Sequence, residues 1–361
     1  MKFHKITALG VAAGMLITGV VLAGPASAEP VSGSYVAVGS DTLEASMNAL
    51  ANGTSVTGST VRVAAGGNAF GNYDAFPTGT RIQTKPGGSY FVRPSGSGNG
   101  RDALRASITG NAWQGTVITG QVDIARTSNG PGSNANAAGL LAYVPYARDG
   151  MAYAYKAADS AAAAVLADLS TAELTAIYSA STPTVIDGIT ISPRLPQSGS
   201  GTRAFFLGAI AVPTPGAAGA AADNTSAGPA ENDATVLGVN QIIPFSVANW
   251  VAQVNGAAPS TIGSTGVQIG SPTGVAPFTG TTTLVPAAAY YSNTTWGRDT
   301  YLIVEFARIS SASPKYDANL AALVTSLTSY GALPSTPGAV KTRFGFRAPS
   351  STTVIRAYAT L

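Results

Sequence analysis

Hydroxyls and glycines carry the chemistry of this sequence, and they recur in four short loops. Ser40 and Thr42 stand in the first, residues 39–42, and Ser97 in the second, residues 95–101. Arg126, Ser128 and Asn129 stand in the third, residues 126–129; Ser198, Ser200, Gly201, Thr202 and Arg203 in the fourth, residues 198–203. Each loop follows a strand-like apolar run, and most lead into a helix-like one. A helix N-terminus exposes unpaired N–H groups and a partial positive charge. Ser and Thr hydroxyls add neutral donors, and Gly lets the backbone approach closely. A desolvated tetrahedral oxyanion needs many fixed donors and few bulky groups. Taken singly, such a loop is an ordinary turn. Recurrence at strand ends makes the set a candidate anion cradle, because open α/β sheets bind ligands at the carboxyl ends of their strands.

The residue types that are missing narrow the chemistry further. The chain has 361 residues, no cysteine and a single histidine, His4. Lys2 and Lys5, the uncharged apolar stretch 6–22 and the small-residue run Ala26, Ser27, Ala28 read as a secretory signal cleaved after Ala28. His4 leaves with it. The mature chain then has no Ser-His-Asp triad, no Cys-His pair, no zinc site of imidazole or thiolate and no disulfide. Nor is there a phosphate-binding GxxxxGK[ST] loop or an SxxK motif. No cofactor is expected. Lys and Arg number 20 against 17 Asp and Glu, and losing Lys2 and Lys5 leaves the two nearly balanced. That balance gives no electrostatic footprint for nucleic acid. Without cysteine there is no lipid anchor, so the product is expected to be soluble and secreted or periplasmic.

The elements that must position the loops alternate. Strands are expected at 34–38, 61–64, 122–125, 189–192 and 301–306. Helices are expected at 43–50, 101–108, 157–169, 204–210 and 316–330. Ser170 and Glu173 form a capping box that opens another helix, running to Ile177. Ser40 or Asp41 is a candidate N-cap, with Glu44 near the capping-box position. Residues 143–147 and 151–155 read as extended segments flanking a turn at Arg148, Asp149 and Gly150. Residues 213–230 read as an exposed loop and 256–283 as an irregular hairpin. Glu231 and Asp233 read as a cap or turn, because a carboxylate pair repels an anion. Alternation throughout predicts an α/β architecture with mainly parallel sheets.

The four loops, in this order, resemble the ligand loops of the periplasmic phosphate-binding proteins of ABC importers, in the type II solute-binding superfamily. Thr42 falls at the hydroxyl position of the first loop and Ser97 at the ligand serine of the second. Residues 123–129 resemble the third loop. Residues 198–202, followed by Arg203 and Phe205, resemble the fourth, the most specific of the set. Residues 169–178 resemble the family's "Leu-Ser, acidic, Ile-Phe" helix. The resemblance covers most of residues 34–347 and is patchy between 211 and 300. It implies a two-lobed periplasmic-binding-protein-like fold with an interlobe cleft. Lobe 1 would comprise residues 29–146 with 301–361, and lobe 2 residues 147–300. The ligand would be phosphate or a related oxyanion, and the partner an ABC importer membrane complex. A monomer that is not an enzyme is expected. The alternatives are a cell-surface or matrix protein that keeps the fold without the ligand, and a histidine-free hydrolase using paired carboxylates.

The sequence departs from the family pattern in two places. Asn129 stands where the family usually carries an Asp that accepts the proton of monohydrogen phosphate. An amide both donates and accepts, so weak selectivity against sulfate is expected. The family's arginine just before the fourth loop is displaced, leaving Arg126, Arg194 and Arg203 as candidates to cap the anion.

Overall fold

The computed structural model describes residues 34–219, 228–262, 266–326 and 338–358. The expected signal segment lies outside the described residues, as do parts of the 213–230 and 316–330 segments. Among the described residues no single helix is long and apolar enough to cross a membrane.

The buried strand β1 (Tyr35–Gly39) leads through the first loop into α1 (Glu44–Asn52), followed by β2 (Phe70–Asn72), α2 (Gly96–Thr109) and β3 (Ile124–Thr127). β4 (Leu141–Lys156) is 16 residues long. After it come α3 (Ser160–Leu166), α4 (Thr171–Ser179), β5 (Thr184–Ile186), β6 (Ile189–Pro193) and α5 (Gly201–Ala209). Then follow β7 (Gln241–Ser246), α6 (Val247–Val254), β8 (Val267–Gly270), β9 (Gly297–Glu305), α7 (Ala318–Thr325) and β10 (Ile355–Ala357). The main sheet runs β2-β1-β3-β9-β4-β7-β6-β5, with β8 and β10 also paired to β4.

Parallel pairing is found where loops must share one end of the sheet: β1 with β2, β1 with β3, and β6 with β7. The long strands β4 and β9 pair antiparallel, because one carries the chain forward between two cores and the other brings it back. Ala147 packs in a core with Tyr35, Leu43, Ile124, Leu302 and Phe346, whereas Met151 packs in another with Phe206, Phe245 and Trp296. A third cluster, with Val36, Leu104 and Ile303, covers the opposite face of the first sheet half.

The turn expected at Arg148, Asp149 and Gly150 is instead the middle of β4. Its charges look like a turn only while their partners are unknown. Asp149 faces Arg298 and Gly150 faces Gly297 across the ladder, and Arg148 pairs with Asp299 at 3.0 Å. The strand expected at 61–64 reduces to a single bridge, Thr54 to Val61. The second loop is also shorter than its composition implied, since its glycines form the first turn of α2. Glu44 does not cap α1; its carboxylate accepts from the Ala75 amide at 2.6 Å.

Candidate functional site

The loops at the ends of β1, β3 and β6, with the first turn of α2, meet in the cleft between the two cores. The N-terminal turns of α2 and α5 lie side by side there, the Gly98 amide donating to the Gly199 carbonyl at 3.4 Å. Gln197 Nε2 donates to the Ser95 carbonyl at 3.2 Å, tying the second loop to the fourth. Gly201 opens α5 where only glycine fits, because a Cβ would collide with the hydroxyls of Ser97 and Ser128.

A carboxylate sits where these donors converge, that of Glu231, a residue 1 % exposed. Its Oε1 accepts from Ser40 Oγ at 3.3 Å, from the Thr42 amide at 3.1 Å and from Thr42 Oγ1. Its Oε2 accepts from Ser200 Oγ and from the Thr202 amide at 3.1 Å. Ser200 Oγ also caps α5, accepting from the Arg203 amide at 3.0 Å. One carboxylate thus ties the first loop to the fourth. The expectation that Glu231 merely caps a turn is corrected. The repulsion argument assumed a second anion, whereas here the carboxylate is itself the anion that the donors hold.

The positive charge comes from Arg298 on β9, which the sequence reading missed. Its Nη2 donates to Thr202 Oγ1 at 2.9 Å and to Thr42 Oγ1 at 3.3 Å. The same nitrogen reaches Asp149 Oδ2 at 2.8 Å, and Nε reaches it at 3.1 Å. Asp149, fully buried, accepts the Ala248 amide on its other oxygen at 2.9 Å. The guanidinium lies 5.5 Å from the centre of the Phe205 ring. Its remaining nitrogen, Nη1, has no hydrogen-bond partner among the described residues. The available signal was a charged pair, Arg298 and Asp299, set against the strongest strand of the sequence.

Asp41 completes the electrostatics. Its Oδ2 accepts the Glu231 amide at 3.0 Å. Burial, then the negative charge of Glu231 and a hydrogen bond to it, raise the Asp41 carboxyl well above its ordinary value. Burial alone would raise Glu231 too. The hydrogen bond with Asp41, the charge of Arg298 and the hydroxyls of Ser200 and Thr42 outweigh burial and hold it below its ordinary value. The two carboxyls are thus shifted in opposite directions, Asp41 up and Glu231 down.

The second and third loops turn to each other. Ser97 Oγ and Ser128 Oγ lie 3.2 Å apart, and the Ser128 amide donates to Ser97 Oγ at 3.0 Å. Asn129 is half-buried, and its Oδ1 has no partner among the described residues. It lines a cavity of about 770 Å³ together with Ser128, Phe205, Arg298 and Tyr301. A smaller cavity of about 190 Å³ lies beside Ser97 and Ser200.

Four of the expected ligands are placed elsewhere. Arg126 is fully buried and turned back on β1. It donates to the carbonyls of Ser40 at 2.8 Å and Gly39 at 3.0 Å, and pairs with Glu44 at 3.5 Å. Arg203 donates to the Pro196 carbonyl at 3.0 Å, and Ser198 is exposed on the rim of the smaller cavity. Arg194 donates to the Val236 carbonyl at 2.9 Å. Among the described residues no group of three or more acidic side chains is placed to hold a metal ion.

No family model matches the chain, and no curated protein matches it in sequence. Several solved structures resemble it. An ABC-type phosphate transport receptor from Vibrio cholerae is 14 % identical, with a TM-score of 0.49 over 88 % of this chain and 100 % of that one. A high-affinity periplasmic phosphate-binding protein, PfluDING, is 16 % identical, with a TM-score of 0.49 over 88 % of this chain and 90 % of that one. A putative phosphate ABC transporter substrate-binding protein from Clostridium perfringens is 14 % identical, with a TM-score of 0.44 over 77 % of this chain and 88 % of that one. At such identities side-chain chemistry is free to differ, so the reading of the cleft rests on its own residues.

Proposed function

We propose that this protein is an exported solute-binding protein whose cleft holds phosphate or a related oxyanion, and that it does no covalent chemistry. The observation that carries this reading is the convergence of Ser40, Thr42, Ser200 and Thr202, backed by Arg298, on the two oxygens of a buried carboxylate. Donors fixed before the ligand arrives are what desolvated oxyanion binding needs. Ser97 and Ser128 stand next to Gly201 and supply further hydroxyls for a tetrahedral ion. Arg298, clamped by Asp149, takes the capping role that the sequence offered to Arg126, Arg194 and Arg203.

The lobes divide at 146/147 and 300/301 in this reading. The changes of core between Ala147 and Met151, and between Trp296 and Leu302, fall near these boundaries, while Ala147, Ala248 and Ala252 pack with the first core. A monomer suits a cleft completed within one chain, and an importer complex is the partner the reading implies.

Titration calorimetry with phosphate and sulfate near pH 8 tests it. Saturable binding of both at one site is expected, with modest discrimination, since the free Asn129 amide oxygen accepts a proton without repelling a dianion. Asn129→Asp should raise selectivity, mainly by weakening sulfate. Absence of anion binding to the folded protein, even after removal of the Glu231 carboxylate, overturns the reading.

A further inference from the structure

Glu231 is bound as a guest would be. Its two oxygens take donors from loops on both sides of the cleft, and its amide is held by Asp41. A planar carboxylate offers two oxygens where a tetrahedral ion offers four. The donors it leaves over, Ser97 and Ser128, are those that bond to each other. With Glu231 ionised in the cradle, a second anion would meet its charge at contact distance in a buried site. The two cannot share the space.

We propose that Glu231 is a built-in competitor: the cleft closes on its own carboxylate when empty, and an external oxyanion binds by expelling it. This rests on the oxyanion reading above and adds a selectivity device to it. A ligand must outbid a tethered carboxylate already at high effective concentration. Monoanions and carboxylates of the medium, which gain no more than Glu231 does, are excluded. A dianion able to engage Arg298 and also break the Ser97–Ser128 bond has contacts that the side chain lacks. Affinity falls by the fraction of time the cradle is free, so a carboxylate seated nine-tenths of the time weakens binding about tenfold.

The experiment compares the unmutated mature protein with Glu231→Ala and Glu231→Gln, using phosphate and acetate as separate probes, by calorimetry and thermal melting. Without anion, Glu231→Ala should melt earlier, and phosphate should bind it about tenfold more tightly or better. Acetate should stabilise Glu231→Ala and compete with phosphate there, while leaving the unmutated protein unmoved. If the unmutated protein binds phosphate and neither variant binds it more tightly, the competitor is overturned while the oxyanion reading stands. If acetate binds the alanine variant and phosphate does not, the cradle is a carboxylate site, and both the oxyanion reading and the competitor fall. Binding of neither probe to a folded variant overturns both. Should both variants fail to fold, hydrogen exchange on the unmutated protein decides. Phosphate should speed exchange at the Glu231 amide while the Thr202 amide stays protected. Added protection at Glu231 would overturn the proposal.

Discussion

In one half of the cradle, Ser40, Thr42, Ser200 and Thr202 direct their protons to a carboxylate; in the other, the hydroxyls of Ser97 and Ser128 share a hydrogen bond with each other. Both halves use the same residue types, on the same kind of loop, at the same end of the sheet. They differ in what reaches them from afar. Glu231 and Arg298 arrive at the first half from distant parts of the chain. They make its bonds charge-assisted, worth about 1.5–3 kcal/mol each against about 1 kcal/mol for a neutral pair. A loop's composition therefore sets its capacity to bind an anion, and long-range partners set how strongly that capacity is engaged.

The sharpest way to break the comparison is to remove the charge. Arg298→Met leaves Asp149 buried without its cation, and should lower stability by about 3–5 kcal/mol in urea unfolding. Adding Asp149→Asn should recover much of the loss. A single variant as stable as its parent would mean that Arg298 is not what polarises this half. Next in size is Ser200→Ala, which removes both the α5 cap and a bond to Glu231. A loss of about 2 kcal/mol is expected by the same assay. Ser97→Ala breaks neutral bonds alone, the hydroxyl pair and the one from the Ser128 amide, and should lower stability by about 1 kcal/mol. Equal losses for the two alanine variants would erase the distinction between the halves.

The smallest effect is a matter of pH. The Asp41 carboxyl is raised in the folded state above its ordinary 3.8. As pH climbs through that ordinary value the unfolded chain releases the proton while the folded chain keeps it. Asp41 therefore contributes stability that is full below 3.8 and lost as pH rises towards its folded value. Asp41→Asn carries no such linkage and still accepts from the Glu231 amide. Its melting temperature should match the parent's near pH 4 and exceed it at pH 8. A difference that does not change with pH would show that the Asp41 carboxyl is not raised in the folded state.

Much of this architecture was legible because its signals are local. Glycines and hydroxyls before apolar helical spacing marked α5 and the end of β1, and Ser170 with Glu173 marked α4 by a capping box that the structure contains. What was illegible depends on partners far along the chain. Arg148 and Asp149 look like a turn until Asp299 and Arg298 are set opposite them. Arg126 had the right charge in the right loop. However, fully buried, it found compensation in nearby carbonyls and Glu44 rather than in the cleft. Glu231 was set aside by a sound rule about two anions, and the rule does not apply when the acidic side chain fills the cradle itself.

The pairing of β4 and β9 also dictates an order of events. Leu141 lies beside Glu305 and Thr127 beside Tyr301, so β3 and the first half of β4 lack their shared neighbour until the chain is nearly all made. On a ribosome the first half would be left as an open-edged sheet with apolar faces uncovered. Completing it requires closing a very long loop, a slow and entropically costly step. Met151–Lys156, by contrast, find β7 and β8 sooner. The core assembled from the middle of the sequence is thus placed to form first, leaving the part that begins the chain to finish last.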